Sequence, residues 1–350
     1  MPSNEKPDHI TDAARKLLRG GCSVRSAQAA IEKQHGEHVS LGWLQKQRNR
    51  VVAEVWLQQR PQIQGDWRSA CDHAEKHKEQ YKQYDYSVRH AEINMADEYD
   101  YDPNKPLILV FMADVHFGSL HVDYARFKQD LELILKTPNC FLVLGGDDVD
   151  NYQKNFRNAK AVHSAIFNPQ LQRQIWMDIL REAGGKIVAK IRGNHNEFSD
   201  MASGDDADWY VHKDANYAYI PDGGLIELTV GDQVYKILIH HKPQGNSQKN
   251  KTNANKNMLQ KKYPMADITV SEDKHDPVME TEFLYDHDAA KQVVHVRCGT
   301  YKTDGDDYAY RGWKEGVHGT PTIVLYPGKK KMVPFLSNEA IEDAIAYVGK

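Results

Sequence analysis

The sequence predicts an αβ layered fold preceded by a small all-α domain. Three observations carry this. From Pro106 onward short apolar runs alternate with helical patterns: a strand, a helix around Tyr124 to Lys136, a strand, a helix around Gln170 to Glu182, and a strand running into Gly193, the order of an α/β layer structure. After Pro221 the pattern changes to hairpins, Leu225 to Val230 against Val234 to Ile239 across Gly231-Asp232, and Thr322 to Tyr326 against Met332 to Phe335. Residues 1–60 show only helical periodicity broken by glycine. A mixed sheet packed on a more parallel one accounts for both halves of the larger region. At 350 residues the chain exceeds the usual single-domain size, so one large domain with an appendage is expected.

The helices open the chain. His9 to Leu18 stops at Gly20-Gly21, Ser23 to Gln34 stops at Gly36, and a third helix begins near Ser40, with Ser23 and Ser40 as N-caps. The second and third look like a helix-turn-helix unit, in which Gln45, Lys46, Arg48 and Arg50 are offered to a DNA groove. The alternative is a three-helix bundle used for protein contacts or homo-oligomerisation. Residues 61–105, rich in Gln, Glu, Lys, His and Tyr, read as a helical linker. The main domain then spans 106–350, with Asn338 to Val348 as a closing helix.

Bulk properties narrow the function. The net charge of -4 excludes a globally basic nucleic-acid binder, yet residues 1–60 carry ten Lys and Arg against six Asp and Glu, so any such binding is local. The four cysteines have no paired spacing, which argues against a disulfide framework or a zinc knuckle. A polar, acidic N-terminal stretch and the lack of a long apolar run predict a cytoplasmic protein without a membrane segment.

The chemistry lies at strand ends. Met112-Ala113-Asp114-Val115-His116 follows one apolar run, Gly145-Gly146-Asp147-Asp148-Val149-Asp150 a second, and Arg192-Gly193-Asn194-His195 a third. A fourth strand ends in His240-His241 and a fifth runs into Glu272-Asp273-Lys274-His275. Carboxylate, imidazole and amide donors converging on one sheet edge suit divalent cations such as manganese, iron or zinc. Asp114 and His116, two apart, are expected to leave the same face of an extended strand end.

In order and kind these motifs resemble the calcineurin-like metallophosphoesterase superfamily, over roughly Pro106 to Pro277. The resemblance implies a two-sheet αβ sandwich with a dinuclear metal centre. It implies Asp114, His116, Asp147 and His275 on one ion, and Asp147, Asn194, His240 and Asp273 on the other. Manganese is favoured over magnesium, iron, zinc or nickel. The implied reaction is phosphoester hydrolysis by in-line attack of a hydroxide held between the ions, with His195 protonating the leaving oxygen. Asp150 is read as orienting His195 or a neighbouring ligand. Arg192 and His241 are candidate substrate contacts, the latter competing with His240 as ligand.

Two departures stand out. Glu272-Asp273-Lys274-His275 replaces the family's Gly-His-x-His, and no Asp-Arg-Gly continuation follows Asp147, against a protein Ser/Thr phosphatase. The stretch from Asn246 to Lys262 holds five lysines and no acid, so Lys249, Lys251 and Lys256 are read as a mobile basic loop for a phosphodiester backbone. A DNA nuclease resembling the DNA-repair exonuclease branch, of bacterial or phage type, is the first functional expectation. A small-molecule phosphatase or cyclic-nucleotide phosphodiesterase is the second, and a DNA-binding module with a retired site the third.

Overall fold

The structure, a computed structural model, describes residues 7–19, 24–40, 90–152, 164–203, 217–245, 249–261, 263–286, 289–303 and 316–349, with Trp43, Leu44, Gln47, Asp208, His212 and Ser247 besides. It divides into two units, 1–88 and 89–350.

In the first unit α1 (Asp8–Arg19) and α2 (Val24–His35) pack through one apolar seam. Ile10, Ala14 and Leu18 recur every fourth residue and meet Ala27, Ile31, Val39 and Leu44, all buried, the stripe an amphipathic helix must cover. Ser40 caps the next helical turn, its Oγ accepting from Trp43 N at 3.1 Å. Gln47 is buried and accepts from Arg15 Nε at 3.1 Å. Gln45, Lys46, Arg48 and Arg50 lie outside the described residues.

The second unit is a two-sheet αβ sandwich. One sheet has the order β12-β11-β2-β3-β4-β5, built from β2 (Leu107–Met112), β3 (Cys140–Leu144), β4 (Ile187–Lys190), β5 (Ala218–Tyr219), β11 (Thr322–Leu325) and β12 (Met332–Phe335). Strands β2 to β5 run parallel, and β11 and β12 add antiparallel. All six residues of β2 are buried, as a strand covered on both faces requires. Ile108, Val110 and Met112 share a core with Phe127, Ile134, Trp176, Leu180, Ile341 and Ala344. Those residues belong to the helices Tyr124–Lys136, Pro169–Ala183 and Ala340–Val348, which therefore cover the sheet's outer face.

The other sheet has the order β1-β6-β7-β8-β10-β9, from β1 (His90–Asn94), β6 (Gly224–Val230), β7 (Gln233–His240), β8 (Ile268–Ser271), β9 (Val278–Asp286) and β10 (Ala289–Arg297). Strands β7, β8 and β10 are parallel to one another. The helix Asn253–Lys261 lies on this sheet, with Met258 and Leu259 against Leu238 and Val293.

Two sequence expectations need correction. The boundary at 106 falls too late: β1 pairs parallel with β6, and Tyr99 Oη donates to the Ile187 carbonyl at 2.9 Å. With Ala91 and Ile93 as its only buried residues, β1 is too short to stand out from a polar stretch. Nor is the lysine-rich stretch wholly a mobile loop. Asn253–Lys261 is helical, and its buried Asn255 donates to the Thr269 and Val296 carbonyls at 2.9 and 2.8 Å.

Candidate metal centre

The donors stand on loops that backbone geometry forces together. Beyond Met112 the chain leaves the strand, and Asp114 and His116 both adopt φ 51°; Asp147 has φ 50° and His275 φ 51°. The expected extended strand end is thus replaced by left-handed turns. This conformation is uncommon for residues other than glycine and persists only where surroundings impose it. Here they do: Asp114 N donates to Gly146 O at 3.0 Å, His116 N to Asp147 O at 2.9 Å, and Phe117 N to Asp148 O at 2.8 Å. Glycine is required at two contacts, since a Cβ on Gly146 would strike the Gly193 backbone and one on Gly193 would strike Asp147. His195 N completes the junction, donating to Asp147 Oδ1 at 2.7 Å.

Among the described residues three sets of ligand atoms each lie within 4.8 Å of one another: Asp114, His116 and His275; Asp114, Asp147 and His241; and His116, Asp147 and His195. His275 Nε2 is 3.1 Å from His116 Nε2 and 3.4 Å from Asp114 Oδ1, and His241 Nε2 is 3.2 Å from Asp147 Oδ2. Asp114 Oδ1, Asn194 Oδ1 and His241 Nε2 are buried without a hydrogen bond. Such atoms are costly in a folded chain unless something else satisfies them. Oxygen and imidazole donors so arranged fit one or two divalent cations.

Neighbouring groups set how the imidazoles point. His195 Nδ1 donates to the Asp150 carbonyl at 2.6 Å, leaving Nε2 3.9 Å from Asp147 Oδ2. His241 Nδ1 lies 2.9 Å from Gly145 O and 3.1 Å from Glu272 Oε2, which turns Nε2 to the centre. The Asp150 carboxylate is 3.3 Å from His116 Nδ1 and 3.2 Å from Lys302 Nζ. Burial opposes its ionisation, but His116 and Lys302 prevail and hold it at about 2. Burial and the nearby His195 push His116 down to about 4, whereas Asp147 raises His241 and Asp114 raises His275 against burial. Burial lifts the Glu272 carboxyl to about 8, against the pull of His241.

The structure brings Asp114, His116, Asp147, His195 and His275 together, with Asn194 at the first position of the helix Asn194–Ser203. It moves two other assignments. His241, not His240, faces the centre: His240 is the last residue of β7, and its Nδ1 lies 3.0 Å from Asp222 O. Asp273 is absent from the donor sets because its carboxylate meets Lys242 Nζ at 2.7 Å and Lys274 Nζ at 3.1 Å. Asp150 meets His116 Nδ1 through its carboxylate and His195 Nδ1 through its carbonyl. Arg192 lies 3.3 Å from Asp222 and 3.9 Å from Glu197. Lys251 pairs with Asp276 and Lys256 with Glu280, both at 2.6 Å, while Lys249 is exposed.

Lys302 and Lys190 escaped the sequence reading, and Glu272 was named there only as part of a motif. Lys190, at the end of β4, is fully buried against Asp148 and Asp208. The interruption of an apolar strand by lysine immediately before Ile191-Arg192-Gly193 was the available signal.

No family model matches the chain, and no curated protein matches it significantly. Solved structures do. Vps29 from Entamoeba histolytica, complexed with zinc, aligns over 66% of this chain and 99% of its own at 11% identity and a TM-score of 0.33. A conserved uncharacterised protein from Streptococcus pneumoniae, described as a predicted phosphoesterase, covers 65% and 98% at 14% identity and 0.28. A metallophosphoesterase from Sphaerobacter thermophilus covers 69% and 99% at 13% identity and 0.32. Likenesses this distant leave the chemistry to be read from the chain's own residues.

Proposed function

We propose that the chain is a metal-dependent phosphoesterase whose substrate is a phosphodiester of nucleic acid. The carrying observation is the convergence of Asp114, His116, Asp147, His241 and His275, in overlapping sets, just beyond the carboxyl ends of parallel strands in both sheets. Asp114, His116, Asp147 and His275 would hold one ion, and Asp147, Asn194 and His241 a second. Bound divalent ions, manganese in our reading, supply Lewis acidity toward phosphoryl oxygens and a water made nucleophilic at neutral pH. The protein's part is positioning. Asp147 stands between the two sets, and buried Asp150 fixes His116. The Asp150 carbonyl accepts the Nδ1 proton in a hydrogen bond and aims His195, whose Nε2, in the doubly protonated imidazolium, is the donor to the leaving oxygen. Tyr152 and Phe198 flank the His195 ring at centroid distances of 4.9 Å and limit access of bulk water.

Nucleic acid as substrate is supported by the basic excess of residues 1–60 and by Lys249. The commitment of Lys251 and Lys256 to Asp276 and Glu280 favours a second reading, a small phosphoester. Among the described residues no helix is long and apolar enough to cross a membrane. Manganese-dependent turnover measured in parallel on single- and double-stranded DNA, RNA, a bis-aryl phosphodiester and an aryl phosphomonoester separates these readings. Cleavage of polymer and diester supports the first, monoester-only cleavage moves the reading to a small-molecule phosphatase, and no turnover with any divalent metal refutes both.

A further inference from the structure

The two halves of the donor cluster are not built alike. Asp114, His116 and His275 form one close set, with Asp147 joined to it through Asp114. The neighbouring set is Asp114, Asp147 and His241; with Asp114 given to the first ion, as proposed above, the second keeps Asp147, His241 and Asn194, and the sequence position that would complete it is Asp273. That residue is turned away. Its backbone N–H, not its carboxylate, faces the centre, 3.2 Å from Asp114 Oδ2, and its φ of 69° sets this orientation. The carboxylate, only 10% exposed, is bracketed by Lys242 Nζ on Oδ1 at 2.7 Å and Lys274 Nζ on Oδ2 at 3.1 Å. Rotating it inward would take it from both ammonium groups and disturb the N–H contact to a ligand carboxylate. Glu272 does not fill the gap, because its Oε2 lies against Nδ1 of His241, on the far side of that ring from the centre.

We propose that the centre holds its two ions unequally. The Asp114, His116, Asp147 and His275 site fills first and tightly, and the Asp147, Asn194 and His241 site, one ligand short, fills weakly. Lys242 and Lys274 set the difference by keeping Asp273 out. A weakly held second ion makes metal supply or substrate phosphate the partner that completes the centre. The inference rests on the metal-dependent reading above, but it concerns binding and is measured without turnover.

The test is calorimetric titration of manganese alone into the full-length, metal-stripped chain, with circular dichroism to confirm folding of each variant. The wild type is expected to show two events separated by at least ~100-fold in Kd, on the order of what a ligand's surroundings contribute to metal affinity. Asp273→His strengthens only the weak event, Lys242→Ala with Lys274→Ala does the same by releasing Asp273, and Asp273→Asn leaves both events in place. Two events of equal affinity in the wild type, or weakening of either by Asp273→Asn, overturn the proposal and leave the phosphoesterase reading standing. Absence of any binding event overturns both.

Discussion

Replacing Lys190 by Met is expected to destabilise the second unit far more than the loss of one side chain suggests. Lys190 is 0% exposed, and its Nζ contacts the carboxylate of Asp148, itself 1% exposed, and lies 3.0 Å from Asp208 Oδ2. Asn196 Nδ2 donates to the same Asp208 oxygen at 2.8 Å. Burial alone would lower the Lys190 ammonium, but Asp148 and Asp208 raise it, so it is charged at neutral pH. Methionine preserves the length of the chain and strands Asp148 as a buried carboxylate without its cation. Breaking a buried pair from one side costs about 3–5 kcal/mol. At ~2–4 °C per kcal/mol for a unit of this size, Tm should fall by about 6–20 °C.

The sign of the pH dependence follows. Burial already lifts the Asp148 carboxyl to about 6, against Lys190, and without Lys190 it rises further. Between about pH 6 and 8 the folded variant therefore retains a proton that the wild type has released. The gap between the two proteins should open as pH rises through that window and be smallest below it. Differential scanning calorimetry from pH 5 to 8 is the assay. A Tm loss under about 2 °C, or one independent of pH, would refute the argument that Asp148 depends on Lys190. Because Asp148 follows Asp147 directly in sequence, reduced metal affinity should accompany the loss.

Other consequences can be checked separately. His241→Ala should abolish the weaker of the two metal-binding events while the tighter ion stays, read as a fall in bound manganese by plasma mass spectrometry, whereas His240→Ala should leave metal content unchanged; the reverse pattern would restore His240 as the ligand. His195→Asn should lower kcat by about 10²–10⁴-fold with metal content intact, and loss of metal would make His195 a ligand instead. Glu272→Gln should weaken manganese binding by ~10–100-fold by loosening His241, visible in a chelator-competition titration. An unchanged Kd would leave the Gly145 carbonyl as the sole orienting group.

Much of the fold was legible because its signals are local. The helix Tyr124–Lys136 matches its apolar periodicity and is closed by the Asp123 cap, whose Oδ1 accepts from Arg126 N at 2.9 Å. The hairpin across Gly231-Asp232 pairs Val230 with Gln233 as its turn residues require. What failed was set by contacts distant in sequence. The choice between His240 and His241 turns on where β7 ends, a difference of one residue that sends a side chain to the opposite face. The lysine-rich stretch gives no hint that Glu280 and Asp276 wait on the neighbouring strand and loop. Asp273 is compatible with a ligand by type and position, and what removes it is its left-handed backbone together with Lys274 beside it and Lys242 from another loop. The β9–β10 hairpin, Val278–Asp286 against Ala289–Arg297, was missed because charged and polar residues interleave with the apolar ones of β9, although Val293 to Arg297 of β10 are buried.

The most direct measurement pairs metal content with hydrolysis of a bis-aryl phosphodiester in the wild type and in Asp147→Asn. Asp147 is the carboxylate that the proposed reading gives to both ions. The account predicts that the wild type binds manganese and cleaves the diester, and that the variant, folded by circular dichroism, loses both metal and turnover. Undiminished metal binding and cleavage in Asp147→Asn would contradict it.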